Sequence, residues 1–176
     1  MQKLTKWQIG GFLFTSVLGT LLHFFYDWSG QSDFAALFSA VNESIWEHLK
    51  LLFFPMFLFA LAQARKVSKE DKNFWCIKLI GILMALALTV VLYYTYTGIF
   101  GVNLDIVNIS IFFVAAGVSY LLEWYLMQKK TLKCKNKFAP LAVLVLLMAS
   151  FFIFTFYPPQ IPLFRDIPTG TYGIAK

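Results

Sequence analysis

Charged side chains are scarce in this sequence, and their scarcity excludes an ordinary soluble domain. Only 14% of the 176 residues are charged, whereas soluble globular domains carry roughly 25%. Hydrophobic residues make up 59% of the chain, which includes 20 phenylalanines. A membrane-spanning helix needs about 20 mainly apolar residues, and five stretches of the sequence meet that requirement.

The apolar stretches therefore predict an all-α membrane protein, a bundle of about five transmembrane helices in a single domain over residues 1–176. Between the first two stretches, apolar residues recur at helical spacing, which predicts a short outer interfacial helix over about 32–42. The C-terminal segment 158–176 is rich in proline and in large apolar residues, so we expect a tail that folds back over the helix ends. The predicted spans are 7–28, 45–64, 74–99, 105–127 and 138–157.

Most basic residues fall on one side of these spans, and this asymmetry predicts the topology. The positive-inside rule makes the basic side cytoplasmic, so we expect the N-terminus inside and the C-terminus outside. The first apolar run is too long for a signal peptide and lacks a small-x-small cleavage site, so we expect a retained helix. The basic residues on that side are Lys3, Lys6, Arg65, Lys66, Lys69, Lys72, Lys78, Lys129, Lys130, Lys133, Lys135 and Lys137.

The chain also lacks the compact motifs that usually hold a metal. It has no CxxC, HExxH or HxH sequence and only two cysteines. Cys76 and Cys134 map to the predicted cytoplasmic side, where thiols stay reduced. These absences argue against cysteine-based metal or redox chemistry, so any polar site must be assembled from separate elements.

Ionisable side chains nevertheless occur where the first span ends and the second begins. His23 and Asp27 are four residues apart, so they share one face of a helix. Glu43, Glu47 and His48 stand at the start of the second span. Charged groups near the hydrocarbon cost a few kcal/mol by insertion scales, and they usually line an interior or a cavity. If the first two spans pack antiparallel, these five side chains converge on the extracytoplasmic side.

The pattern predicts a polar binding site at that end of the bundle. Two imidazoles with a carboxylate suit zinc or another first-row divalent metal, and an open coordination position would activate water. The candidate metal ligands are His23, His48 and Glu47. The candidate binding residues are His23, Asp27, Asn42, Glu43, Glu47, His48, Asp105 and Asn108.

Structural roles compete for several of these residues. Ser44 and Glu47 match a capping box, in which each side chain satisfies a free amide at the helix start. Glu47 can also pair with Lys50, and Asp105 can cap the fourth span. Nearer the other end of the bundle, Lys78 and Glu123 lie at a similar depth, and we expect them either to pair or to extend separately towards water.

Three segments together resemble a known family. They are His23-Phe-Phe-Tyr-Asp27-Trp, Val41-Asn-Glu-Ser-Ile-Trp-Glu-His-Leu-Lys50 and the Pro-Pro-x-Ile-Pro-Leu-Phe motif of the tail. They look like a family of small polytopic bacterial membrane proteins, found mainly in Firmicutes and catalogued as a domain of unknown function. The resemblance implies a protein of the bacterial cytoplasmic membrane, and it assigns no reaction.

Three functions remain open at this point. The first is binding of a small polar solute or cation, in a transporter or uptake subunit. The second is an intramembrane metal-dependent hydrolase that uses histidine and glutamate. The third is a non-catalytic scaffold or subunit whose polar cluster only fixes the helices. The expected partners are the lipid bilayer and either a second copy or another membrane protein, and no nucleic acid.

Overall fold

The protein is a bundle of α-helices in the computed structural model, which describes residues 2–67, 73–129, 132, 134, 136 and 138–174. Five helices are long and one is short. They are α1 (Gln2–Trp28), α2 (Asp33–Phe38), α3 (Ile45–Val67), α4 (Phe74–Phe100), α5 (Asp105–Lys129) and α6 (Ala139–Phe156). The predicted all-α class is therefore confirmed.

The long helices have the length and apolar composition of membrane spans. They contain 18 to 27 residues each, and all five were predicted. The largest difference from the prediction is at α1, which begins at Gln2 instead of residue 7. The extra turn is held by Thr5, whose hydroxyl accepts a 3.1 Å hydrogen bond from the indole of Trp124 on α5. Of the basic residues behind the predicted topology, Lys69, Lys72, Lys130, Lys133, Lys135 and Lys137 lie outside the described residues.

Helix α3 occupies the centre of the bundle. Helices α1 and α4 each contact both α3 and α5, and α6 lies against α4. About two thirds of the apolar stretch of α3 is buried, 67%, against 22–39% in the other spans. Gly19 lets α1 approach closely, because a methyl group there would lie 2.6 Å from the carbonyl oxygen of Leu51. This central position makes the first turns of α3 a meeting point for several elements.

Short helix α2 is packed into the bundle by its small residues. Ser32 caps it by accepting a 3.2 Å hydrogen bond from the amide of Ala35. Ala35 and Ala36 are fully buried, whereas Phe34 is 69% exposed. The helix is shorter than the predicted 32–42, and its buried side combines the two alanines with Phe38, whose ring centroid lies 5.1 Å from that of Phe54.

Ser39, directly after α2, inserts its hydroxyl into the backbone of α1. The amide of Tyr26 donates to Ser39 Oγ at 2.9 Å, and the same hydroxyl donates to the carbonyl of Leu22. These two backbone groups would bond to each other in an undisturbed helix. Insertion of a side chain in this way is a recognised cause of local helix bending, and it occurs beside His23.

The C-terminal tail folds back over the helix ends, as predicted. A short 3-10 turn, Pro162–Phe164, places Phe164 against the bundle, where it is 5% exposed. Its ring centroid lies 4.7 Å from that of Trp46 and 5.5 Å from that of Phe154. Beyond it the chain reverses, and Arg165 and Tyr172 form an isolated antiparallel bridge. The reversal uses Gly170 at a φ of 73°, a conformation that favours glycine.

The two cysteines form a disulfide, so the expectation of two reduced thiols is wrong. The bond joins Cys76 in the first turn of α4 to Cys134 in the connection between α5 and α6. Asn73 supports this approach, because its side-chain oxygen accepts a 3.0 Å hydrogen bond from the amide of Cys134. The cysteines are 58 residues apart in sequence, and only the packing of α4 against that connection brings them together.

Candidate metal centre

Three ionisable side chains from three segments converge at one end of the bundle, here called the site end. It contains the C-termini of α1, α4 and α6 and the N-termini of α3 and α5. His23 comes from α1, Glu43 from the connection between α2 and α3, and His48 from α3. His23 Nε2 lies 3.9 Å from Glu43 Oε1, and His48 Nε2 lies 3.4 Å from Glu43 Oε2. One ligand atom from each residue lies within 4.8 Å of the others.

The backbone at the start of α3 orients the ring of His48. Its Nδ1 lies 2.9 Å from the carbonyl oxygen of Ser44, one turn earlier. Because a carbonyl can only accept, Nδ1 carries a proton, and Nε2 is the atom left to face Glu43. Such a bond to the far nitrogen is what usually fixes a metal-binding imidazole. When Nε2 is protonated as well, its hydrogen bond to Glu43 holds the pKa of that carboxyl below the ordinary value, so the carboxylate is charged at neutral pH. A metal ion at Nε2 would take the place of this proton.

His23 has no comparable support. Its Nδ1 is buried and has no hydrogen-bond partner among the described residues. Its Nε2 faces Glu43 at a distance too long for a hydrogen bond. The two imidazole rings are 5.4 Å apart between centroids. The ring of His23 is therefore held beside the other two groups without a strong bond of its own.

The arrangement is close to a zinc coordination geometry. Zinc lies about 2.0–2.2 Å from imidazole nitrogen and carboxylate oxygen, and a tetrahedral site then separates its ligand atoms by roughly 3.3–3.5 Å. The 3.4 Å distance between His48 and Glu43 meets this. The 3.9 Å distance to His23 runs to the other oxygen of Glu43, and the three ligand atoms lie within 4.8 Å of one another, so they must move closer together to share one ion. The side chain of Glu43 is 51% exposed, so a fourth position is open to water.

Glu47, the glutamate expected among the metal ligands, is engaged elsewhere. It is 2% exposed, and its Oε2 lies 2.5 Å from Lys50 Nζ. The amide of Val41 donates to Oε2 at 3.1 Å, and the hydroxyl of Thr155 lies 3.2 Å from Oε1. Both oxygens of Glu47, a predicted ligand, are thus occupied, and Glu43 is the carboxylate that faces the two imidazoles. Successive helix residues differ in direction by about 100°, so Glu47 faces α6 while His48 faces α1.

Lys50 completes this buried network with all three of its donors. Besides the bond to Glu47, its Nζ donates to the carbonyl of Ala36 at 2.7 Å and to Thr155 Oγ1 at 3.0 Å. The ammonium group has three hydrogens, and each has an acceptor. The network thereby joins α2, α3 and α6 directly beneath the candidate metal centre. Glu47 and Lys50 thus form the pair that the sequence suggested, and both side chains are buried.

The predicted capping box at the start of α3 is only half formed. Ser44 Oγ accepts from the amide of Glu47 at 3.4 Å, as the motif requires. The reciprocal bond is absent from the described contacts, because the Glu47 carboxylate turns to Val41 and Lys50. The side-chain oxygen of Asn42 accepts from the amide of Ser44 instead, at 2.9 Å.

The remaining predicted site residues lie outside the cluster. Asp27 is exposed one turn beyond His23, near enough for its charge to act on that ring. Asp105 is the exposed first residue of α5. Asn108 belongs to a separate network, with its oxygen 2.5 Å from the hydroxyl of Tyr96 and its amide donating to Asn103 at 2.9 Å.

Asp166 is the residue near the site that sequence reasoning missed. Its Oδ1 accepts a 2.8 Å hydrogen bond from the backbone amide of Glu43. The tail thus supplies a carboxylate to a backbone group of the connection that carries Glu43. A signal for this role was present in Asp166-Ile-Pro-Thr-Gly170, since Asp followed by Pro and Gly is typical of a turn closed by its own side chain.

Comparison with known proteins gives a family and no activity. No curated protein and no solved structure matches the chain. The model of a family of unknown function, DUF6512, matches residues 1–174, which is nearly the whole sequence. The resemblance found in the sequence, to an uncharacterised family of small membrane proteins, agrees with this match. This chain therefore belongs to the DUF6512 family.

Proposed function

We propose that the protein binds a first-row divalent metal ion, with zinc the best fit, at His23, Glu43 and His48. The observation that carries this proposal is the sharing of one carboxylate by two imidazoles. Each oxygen of Glu43 faces a different ring nitrogen, at 3.9 and 3.4 Å. Two histidines and one glutamate are a common ligand set of catalytic zinc, which keeps its fourth position for water or a ligand.

An ion pair between His48 and Glu43 alone would leave part of this geometry unexplained. His23 is roughly two thirds buried, with 31% of its side chain exposed, and its buried Nδ1 has no partner among the described residues. Burial of a polar group without a hydrogen bond is unfavourable. Both ring nitrogens of His23 therefore lack a hydrogen bond among the described residues, and a metal ion at Nε2, which faces Glu43 at 3.9 Å, would give one of them a strong partner.

The surroundings favour binding at the surface over passage through the bundle. The three side chains are 29–51% exposed, so an ion can reach them from solution. The residues that follow His48 along α3 include Leu49, Leu52 and Phe53, which are at most 4% exposed. Such close apolar packing along α3 favours a site that opens towards solution only. By the distribution of basic residues, we place the site end on the extracytoplasmic side of a bacterial cytoplasmic membrane.

Metal-dependent hydrolysis is the second candidate, because the ligand set and the open position are those of hydrolytic zinc centres. A general base must lie within hydrogen-bond reach of the attacking water. Glu47 is the nearest carboxylate along α3, but Lys50, Val41 and Thr155 already occupy its oxygens. Asp27 on α1 is the carboxylate that remains available for this role.

Metal binding to the purified full-length protein tests the proposal. We expect about one equivalent of Zn²⁺ per chain, and Co²⁺ should give the intense visible absorption of a tetrahedral site. His23→Ala, Glu43→Gln and His48→Ala should each weaken Zn²⁺ binding at least tenfold. Asp105→Asn is the matched control, since it removes an exposed carboxylate at the same end outside the cluster.

Two results would contradict the proposal. One is a wild-type protein that binds no more Zn²⁺ than the His23→Ala/His48→Ala double variant. The other is an equal loss in Asp105→Asn, which would indicate general attraction by surface charge. Hydrolytic activity that needs metal, and that Asp27→Asn abolishes without loss of Zn²⁺, would support the second candidate as well.

A further inference from the structure

We propose that the C-terminal tail is a positioning element for the metal centre, with Asp166 as the residue that sets the place of Glu43. This inference rests on the proposed metal site. Glu43 lies in a connection, between the end of α2 and the start of α3, and no helix fixes its backbone. Its amide donates to Asp166 Oδ1 at 2.8 Å. The third ligand is therefore held from the tail.

A second contact ties the same connection to the tail. The side-chain amide of Asn42 donates to the carbonyl of Gly173 at 2.8 Å. Its oxygen accepts from the amide of Ser44, so one side chain joins the start of α3 to the end of the tail. Glu43 stands between these two anchored residues. The tail thus restrains Asn42 and the amide of Glu43 directly, and Ser44 through the side chain of Asn42.

Asp166 is itself locked in place by the turn that follows it. It is 6% exposed. Its Oδ2 accepts from the amide of Thr169 at 3.2 Å and from the hydroxyl of the same residue. Its own amide donates to the carbonyl of Thr171 at 2.8 Å. Both carboxylate oxygens have partners, so Oδ1 is presented to Glu43 in one orientation.

The tail also reaches the second ligand-bearing segment. Phe164 packs on Trp46, which stands two residues before His48 in the first turn of α3. Docking of the tail therefore contacts the connection that carries Glu43 and the helix that carries His48. Ligands of a metal site must be held to within about 0.5 Å to be effective. Release of the tail would free Glu43 and open the ligand set.

Metal binding and tail docking should then stabilise each other. If docking raises the affinity for Zn²⁺, then Zn²⁺ must favour docking by the same factor, because the coupling is reciprocal. A merely structural role for the tail would not produce this second effect. The reciprocal effect is therefore the sharper test.

The first experiment measures Zn²⁺ affinity in full-length variants. Asp166→Ala should weaken binding on the order of tenfold, the lower end of the loss seen when groups that orient metal ligands are removed. Asp166→Asn keeps an oxygen acceptor for the amide of Glu43 and should recover most of the affinity. Should Asp166→Ala fail to fold, Asn42→Ala removes the other contact and should also weaken binding.

The second experiment measures amide hydrogen exchange of residues 165–173 with and without Zn²⁺. Saturating Zn²⁺ should slow exchange there in the wild type and leave it unchanged in His23→Ala, whose tail contacts are intact. Unchanged Zn²⁺ affinity in Asp166→Ala and in Asn42→Ala, or tail exchange that ignores Zn²⁺, would overturn this inference while the metal site stands. A wild-type protein that binds no Zn²⁺ would end the proposed function and this inference together.

Discussion

Two buried lysine–glutamate pairs lie at opposite ends of the bundle, and their surroundings differ. In both pairs the ammonium nitrogen is 2.5 Å from a carboxylate oxygen, between Lys50 and Glu47 and between Lys78 and Glu123. At the site end every hydrogen of Lys50 has an acceptor. At the opposite end Glu123 Oε1 is buried with no hydrogen-bond partner among the described residues.

Aromatic rings replace hydrogen bonds around the second pair. The nitrogen of Lys78 lies 5.4–6.0 Å from the ring centroids of Phe59, Phe74 and Tyr120. Contacts of this kind stabilise a desolvated cation by roughly 2 kcal/mol, but they are not directional in the way hydrogen bonds are. One pair therefore joins three elements through hydrogen bonds, whereas the hydrogen bond of the other joins α4 to α5 and only a ring contact with Phe59 reaches α3.

The largest loss in the free energy of unfolding is expected for the Lys50→Met variant. It leaves the Glu47 carboxylate buried without its cation and deprives Ala36 and Thr155 of a donor. Removal of one partner from a buried pair typically costs about 3–5 kcal/mol. We expect a loss of that size in the free energy of unfolding in detergent, together with loss of Zn²⁺ binding. If the free energy of unfolding of Lys50→Met lies within about 1 kcal/mol of the wild-type value, Lys50 does not hold the three elements together.

Loss of the disulfide should have the next largest effect on the free energy of unfolding. Cys76 and Cys134 restrain the opposite end of the bundle, where α4 begins. A disulfide typically stabilises by about 2–4 kcal/mol, so Cys76→Ser/Cys134→Ser should lower the free energy of unfolding by that amount. Zn²⁺ affinity should stay unchanged, because the site end is held by its own hydrogen bonds. Alkylation of both thiols in the unreduced wild type would show that the bond is absent.

Gly81→Ala should have a smaller effect, confined to the second pair. A methyl group at this position on α4 would lie 2.6 Å from Cγ of Glu123, so the carboxylate must move away from Lys78. Overpacking of this kind costs about 1–3 kcal/mol. Gly98→Ala is the matched control on the same helix, because no atom lies within 4 Å of its added methyl. If Gly81→Ala and Gly98→Ala are equally stable, the Glu123 carboxylate can be displaced without a cost in stability.

The second pair was also the easier one to anticipate from sequence. Lys78 and Glu123 interrupt long apolar runs at similar depths, and a buried charge in such a run needs a partner. The five spans followed from the length of the runs for the same reason. Both predictions depend on composition along the chain and not on the rotation of any helix.

The arrangement at the site end was harder to predict, because it depends on how each helix is rotated about its axis and on close packing between elements. Glu43 and Glu47 are equally plausible ligands by spacing from His48, and only the contact of α3 with α1 and α6 separates them. The buried face of α2 rests on Ala35 and Ala36, which carry little hydrophobic signal. Asp166 lies 123 residues from Glu43, and nothing in the local pattern of the chain joins them.

The smallest effect is expected when both members of a pair are replaced by apolar residues of similar size. Lys78→Met/Glu123→Leu removes a pair with no further hydrogen-bond partners among the described residues, and such replacements are often neutral or stabilising. Its free energy of unfolding should lie within about 1 kcal/mol of the wild type.

Glu47→Leu/Lys50→Met is the matched double variant at the site end. It removes the acceptor of the part-buried Val41 amide and leaves the buried carbonyl of Ala36 without its donor. A buried group left without a partner costs about 1–3 kcal/mol. It should therefore be clearly less stable than its counterpart. If the two double variants lose the same free energy, the hydrogen bonds around Lys50 add nothing to its ion pair. The two pairs would then differ in their contacts but not in their contribution to the free energy of unfolding.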